Sequence, residues 1–536
     1  MSEPLITTVA HEQAVVSKGL KPGAIGLLGS VVVATASTAP AYSLAASLGF
    51  IVATGGGSLL AGVHAPAIIL LAFVPMYFIA QAYKELNEAD PDCGTTFTWA
   101  TRAFGAVTGW MGGWGIIIAD VIVMANLAYI AGQYSFVFIG SFGLPAVAAL
   151  GQNLILSTLV GVLWIAVMTW ICYRGIEISA RLQYALLGFE MVLLLLFAVV
   201  ALVRVASGNG ESYSIPFSLD WFNPFGLDFG NVLAPALLTA IFIYWGWDSA
   251  VAVNEETKDP ARTPGRAAVL STLLLLGTYL LVTIATVSFA GVGTKGIGLG
   301  NPGNSDDVFS VMAPEVFGSS PIGFVLQALF AATILTSASA STQTTILPTA
   351  RTSLSMAAHK AMPEVFARIH PRYLTPTWST IGMGVVSIVL FLGLNLISPS
   401  LLNALVYSLG LMIAFYYGLT GLACTWFYRR TLLRSARNFV FRGLFPMLGF
   451  VMLAVVFVYG LQQYALPDYL TDDAGKNVTI FGIGATAVVG VVGLLIGFVL
   501  MGIWWWRNPD FFRGRVIPRG AYLEGTDVTD PLRVHD

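Results

Sequence analysis

The chain has 536 residues, of which 56% are hydrophobic and only 10% charged, with a mean hydropathy of +0.78. Water-soluble globular domains carry about 25% charged residues, so this composition excludes that class and points to a polytopic α-helical membrane protein. The net charge of −2 is small, and the three scattered cysteines, Cys93, Cys172 and Cys424, suit neither a disulfide framework nor a zinc site.

Apolar runs of about 20 residues, each long enough to cross about 30 Å of hydrocarbon, recur along almost the whole length. Twelve spans are expected, at 22–50, 63–83, 104–138, 153–173, 179–204, 231–255, 266–291, 320–348, 376–396, 400–428, 442–464 and 478–506. Residues 1–21 are polar and the first apolar segment is a full span, so no cleavable signal peptide is expected. With the N-terminus inside, every lysine and arginine except Arg204, Lys295 and Lys476 falls on the cytoplasmic side. The expected setting is the plasma membrane, with both termini in the cytoplasm. No phosphate-binding loop of the Walker type occurs, so uphill transport would draw on an ion gradient.

The first span is interrupted at Thr35-Ala36-Ser37-Thr38-Ala39-Pro40-Ala41-Tyr42-Ser43. Pro40 removes a backbone donor and frees carbonyls that lipid cannot satisfy. The hydroxyls of Thr35, Ser37, Thr38 and Ser43 suit a wet cavity or repair of the broken ladder. A broken, polar-centred helix points to a transporter site near the midplane; a proline kink without a ligand is the plainer alternative.

Span three carries Asp120, which fits either a substrate ammonium or a hydrogen bond to a neighbouring helix. Span five carries Glu190 near its midpoint, about 16 Å from either surface at 1.5 Å per residue. A charge there costs about 2.5–3.5 kcal/mol on insertion scales. Glu190 reads as a proton-coupling group, alternately protonated as access switches, or as a hydrogen-bonded structural acid.

Span six repeats the interruption. Phe242-Ile243-Tyr244-Trp245-Gly246-Trp247-Asp248-Ser249 places a glycine and a carboxylate inside an apolar run. Glycine permits local unwinding, and flanking aromatics, Phe242 and Trp245 first among them, can close over a small solute. Interrupted spans in corresponding positions suggest an inverted repeat. Residues 22–204 and 231–428 would be the two five-span halves and 442–506 two added spans, between tails at 1–21 and 507–536. Span eight is rich in hydroxyls, including Ser337, Ser341 and Thr342. After it, Leu354, Ala357, Ala358 and Ala361 before Pro363 suggest an amphipathic helix lying across the inner face.

At this point a resemblance becomes specific. GWDSAVAVNEETKDPARTP (246–264) resembles the sixth-span signature of the amino acid–polyamine–organocation permeases. ELNEADPDCGTTFTWATRAFG resembles the loop after their second span, and ARTSLSMAAHKAMPEVFARIHPRYLTPTW the segment after their eighth. The resemblance covers roughly residues 18–430 and implies a leucine-transporter-like fold of five plus five inverted repeats. The substrate would lie between the unwound centres of spans one and six, with helix N-termini facing an anionic group and free carbonyls an ammonium group. Substrate contacts are then expected from Ser37, Thr38, Ala39, Pro40, Ala41, Asp120, Phe242, Tyr244, Trp245, Gly246 and Asp248, the last either capping freed amides or touching substrate. In the wider fold span eight supplies hydroxyls to a sodium site, here Ser337, Ser341 and Thr342, and hard cations suit such oxygens.

Two departures stand out. Pro40 lies where the family has flexible glycine, so it has no amide to offer a substrate carboxylate. Glu190 lies where many proton-coupled relatives carry a lysine. The expected function is secondary active transport of an amino acid or related amine by alternating access, coupled to protons. Sodium coupling and polyamine or amino acid exchange are the alternatives. A channel and a membrane-embedded enzyme fit less well, because no nucleophile–base or metal set converges. No cofactor beyond a proton or sodium ion is expected, the partners are a small-molecule substrate and the bilayer with no nucleic acid, and nothing specifies an oligomeric state.

Overall fold

The computed structural model describes residues 18–55, 61–472 and 475–517; most of the two predicted tails lies outside them. Among the described residues eleven helices are long and apolar enough to cross a membrane. The first is split into α1 (Leu27–Ser37) and α2 (Pro40–Ala53). There follow α3 (Ala65–Ala89), the short α4 (Thr96–Phe104), α5 (Ala106–Gly140), α6 (Pro145–Leu150), α7 (Leu154–Tyr173) and α8 (Ile176–Ala206). The expected sixth span is not among the eleven because it is in pieces. A π-helical turn at Phe229–Leu233 leads into α9 (Ala234–Phe242), turns occupy 243–248, and one helical turn, α10 (Ser249–Ala252), resumes.

The remainder is α11 (Thr263–Ala290), the peripheral α12 (Val308–Phe317), α13 (Pro321–Ala358), α14 (Thr377–Ile397) and α15 (Pro399–Phe427). A one-turn α16 (Ala436–Asn438) and a π-helical segment lead into α17 (Phe445–Tyr464), and α18 (Ala485–Arg507) ends the bundle. The outer faces carry exposed apolar side chains such as Leu163, Val192, Val389, Val455 and Val499. Helices can present such faces to lipid because their backbone bonds are satisfied internally. The chain is a multi-pass membrane protein.

The two broken spans lie together in the middle. The half-helix α1 packs on α10, and α2 packs on α9. They pack among α3, α8, α11 and α13, and the break residues Thr35, Ala36, Thr38, Ala39, Ala41, Tyr42 and Ser43 are buried.

One expectation is corrected. The predicted amphipathic surface helix after span eight does not exist as a separate element. Instead α13 runs unbroken to Ala358, so Leu354 and Ala357 are buried in it and Pro348 is a residue within the helix. The polar residues beyond Pro348 are buried because they meet ionic partners from other loops: Arg351 meets Glu256 and Ser355 meets Asp92.

Candidate functional site

Span one breaks because Thr38 ends α1 and Ala39 adopts φ 46° and ψ 64°, the left-handed region that costs an L-residue about 1–2 kcal/mol. Ala39 therefore occupies a conformation natural to glycine. Pro40 then begins α2 at its first position, where a helix has no use for the missing N–H and the fixed φ is an advantage. The proline does not disrupt a helix; it starts one.

The amides that follow are spoken for. Ala41 N–H donates to Glu190 Oε1 at 2.7 Å, and Tyr42 N–H to Ser337 Oγ at 3.3 Å. Ser337 in turn donates to the same Glu190 oxygen at 2.8 Å. Glu190, projecting from α8 and fully buried, thus caps the start of α2. Its other oxygen, Oε2, has no partner among the described residues.

Span six breaks at Gly246, whose φ of +119° is open only to glycine without strain. A Cβ there would lie 2.8 Å from the Ser37 carbonyl oxygen. The two breaks are in direct backbone contact, and Ser341 of α13 donates to that same Ser37 carbonyl at 2.8 Å.

Beside this contact lies a small cavity. Span one contributes Ser37, Thr38, Ala39, Tyr42 and Ser43, and span six Phe242, Trp245, Gly246 and Asp248. Helix α5 adds Asp120, Val123 and Leu127, and α13 adds Ser341, Thr345 and Pro348. Asp120 accepts from Thr349 Oγ1 at 2.6 Å. Asp248 accepts from Tyr417 at 2.9 Å and Tyr416 at 3.1 Å, and Trp245 Nε1 donates to the Tyr416 hydroxyl at 2.5 Å. No lysine, arginine or histidine is among the lining residues.

Comparison with known proteins decides what kind of protein carries this arrangement. The family described as amino acid permease, of the amino acid–polyamine–organocation superfamily, matches residues 26–485. The chain belongs to the amino acid permease family. An uncharacterised transporter of Mycobacterium tuberculosis is 29% identical to it over 68% of this chain and 72% of that protein. The branched-chain amino acid permease BcaP of Bacillus subtilis is 24% identical over 64% and 70%, and the methylthioribose transporter of the same organism 24% over 63% and 68%. The crystal structure of MhsT in complex with L-phenylalanine superposes with a TM-score of 0.56, covering 80% of the permease and 98% of that chain at 16% identity. That likeness establishes the leucine-transporter-like fold.

Of the residues singled out in the permease sequence, Ser37, Thr38, Ala39, Asp120, Phe242, Trp245, Gly246, Asp248 and Ser341 share the cavity wall. Pro40 and Ala41 do not line it; they form the capped helix start behind it. Tyr244 turns away, donating to the Ile69 carbonyl at 3.2 Å and packing on Tyr279. Glu190 and Ser337 form the cap, whereas Thr342 spends its hydroxyl within α13 on Ala338. Asp248 is held by tyrosine hydroxyls instead of capping freed amides from the break. Sequence reading missed Tyr416, Tyr417 and Thr349, and it placed Tyr42 and Thr345 only within the interrupted first span and the hydroxyl-rich eighth. The signal available was polar tips inside apolar spans, notably the adjacent Tyr416 and Tyr417.

The permease is closed on the face where the chain enters. Before α1, Ile25 exchanges backbone hydrogen bonds with Glu256 and Lys258 at the end of span six. Lys18 Nζ lies 2.9 Å from Asp92 and 2.5 Å from Glu255, and Arg351 and Glu256 form a two-pronged pair with both side chains fully buried. Burial works against the Asp92 charge, but Lys18, His359 and the Ser355 hydroxyl outweigh it and hold its carboxyl well below the usual carboxylate range. Its contribution to stability is present above about pH 4, the unfolded value, and is lost only as pH falls through the lower folded value.

Proposed function

We propose that the permease is a secondary active transporter that moves an amino acid or a related amine by alternating access, coupled to protons through Glu190. The observation that carries this reading is the contact of two broken spans, Ser37 against Gly246, beside a polar-floored cavity with apolar and aromatic walls. Such a junction lets half-helices rock around a fixed site. Family membership supports amino acid transport, while a relative named as a methylthioribose transporter indicates that family members are not confined to one solute class. The asymmetry of lysine and arginine supports an orientation with the closed, Lys18-bearing face toward the cytoplasm.

Glu190 supplies the coupling device. As a carboxylate it ties α2 to α8 and α13 through Ala41 and Ser337. A proton on the partnerless Oε2 removes the anion from the start of α2, where the helix dipole favours it, and loosens the tie between the half-helix and its scaffold. Sodium coupling is the second reading, favoured by the neighbouring oxygens of Ser37, Ser337 and Ser341 and by the free Glu190 oxygen, since hard cations take oxygen ligands.

Uptake into proteoliposomes tests both. Under an inward proton gradient the wild type accumulates substrate above the outside concentration. Glu190→Gln exchanges substrate across the membrane but no longer accumulates it. Accumulation that survives in Glu190→Gln and still follows pH defeats the proton role, and accumulation driven only by a sodium gradient establishes the second reading.

A further inference from the structure

The break in span one has no backbone amide left for a ligand. Thr38 N–H donates to Thr35, Ala39 to Ala36 and Ser43 to Ala39, and Pro40 has none. Ala41 and Tyr42 serve Glu190 and Ser337. The start of a helix is a ready anion site, and here the anion comes from the protein itself: a buried carboxylate seated at 2.7 Å, with a second donor on the same oxygen.

The cavity has the matching bias. Among the described lining residues the only ionisable acids or bases besides Tyr42 are Asp120 and Asp248, and the groups that hold them are neutral hydroxyls. The hydroxyls of Thr38, Ser43 and Ser341 donate to the carbonyls of Thr35, Thr38 and Ser37, so they too present oxygen lone pairs to the space. A zwitterionic α-amino acid would set its carboxylate against two acids with no facing cation, the like-charge juxtaposition by which sites reject a ligand. An ammonium group meets acceptors on every side, and Leu127, Phe242 and Trp245 take an apolar remainder.

We propose that the substrate of this permease is a small organic amine without a carboxylate, its ammonium group facing Asp120 and Asp248. This rests on the cavity being the transport site, as argued above.

The test uses matched pairs on the purified full-length protein: leucine against isopentylamine, phenylalanine against phenethylamine, lysine against 1,5-diaminopentane. Thermal shift and equilibrium binding are read for each. The amine of at least one pair binds roughly tenfold or more tightly than its parent amino acid, and Asp120→Asn and Asp248→Asn each weaken that binding by a similar factor. An amino acid that binds as tightly as its amine overturns the inference. If that amino acid is lost on Asp248→Asn, the transport site stands and only the amine assignment falls. Binding unmoved by both substitutions takes down the assignment of the cavity as well, and no response to any pair overturns the inference.

Discussion

Replacing Arg351 by methionine is expected to lower the stability of the permease by about 3–5 kcal/mol, seen as a fall of many degrees in melting temperature. The guanidinium and the Glu256 carboxylate are both fully buried, joined by hydrogen bonds of 2.9 and 3.0 Å. Removing one partner leaves the other charge uncompensated in a dry interior, and that stranded charge is the source of the loss. The pair as a whole is worth far less than either deletion suggests, because desolvating two ions offsets most of their attraction. The double variant Arg351→Met with Glu256→Met therefore recovers most of the melting temperature. A double variant as unstable as the single would mean that packing, not charge, holds this end of α13 against span six.

Gly246→Ala has the second large effect, this time on transport. At φ +119° an alanine carries strain of about 1–3 kcal/mol. Its Cβ would also sit 2.8 Å from the Ser37 carbonyl oxygen and 2.9 Å from the carbonyl carbon. Those atoms are backbone at the edge of a break and have no rotamer to change, so the two spans must separate where they form the cavity wall. Initial uptake per molecule of folded protein is expected to drop by about tenfold or more, since a displacement near 1 Å at a site costs about 100-fold in comparable systems. Gly277→Ala is the control: it lies within α11 with open space around it, and keeps wild-type uptake. Wild-type uptake by Gly246→Ala would show that the contact of the breaks plays no part in transport.

Much of the architecture was legible because hydrocarbon imposes simple requirements. Span lengths, and the presence of proline or glycine with polar neighbours inside two of them, follow from composition along the chain. What a proline does at a break was not legible. Pro40 read as a lost donor, yet at the first position of α2 it loses nothing, and the strain falls on Ala39 instead. Glu190 was conspicuous as a charge in mid-span, but its partner Ala41 is 149 residues away and its facing depends on how α8 is rotated against α2. Periodicity gives no rotation for a helix that is apolar on all sides. The same reason hid Tyr416 and Tyr417, and it made the continuation of α13 past Pro348 look like a surface helix. Its buried polar residues are balanced by loops distant in sequence.

Solute is expected to bind where the two broken spans meet. A structure of the full-length permease determined with its transported solute tests it most directly. Solute density is expected in the cavity between Ser37–Ala39 and Trp245–Gly246, with an ammonium nitrogen within hydrogen-bonding distance of Asp120 or Asp248. Solute bound elsewhere, with that cavity empty, would contradict it.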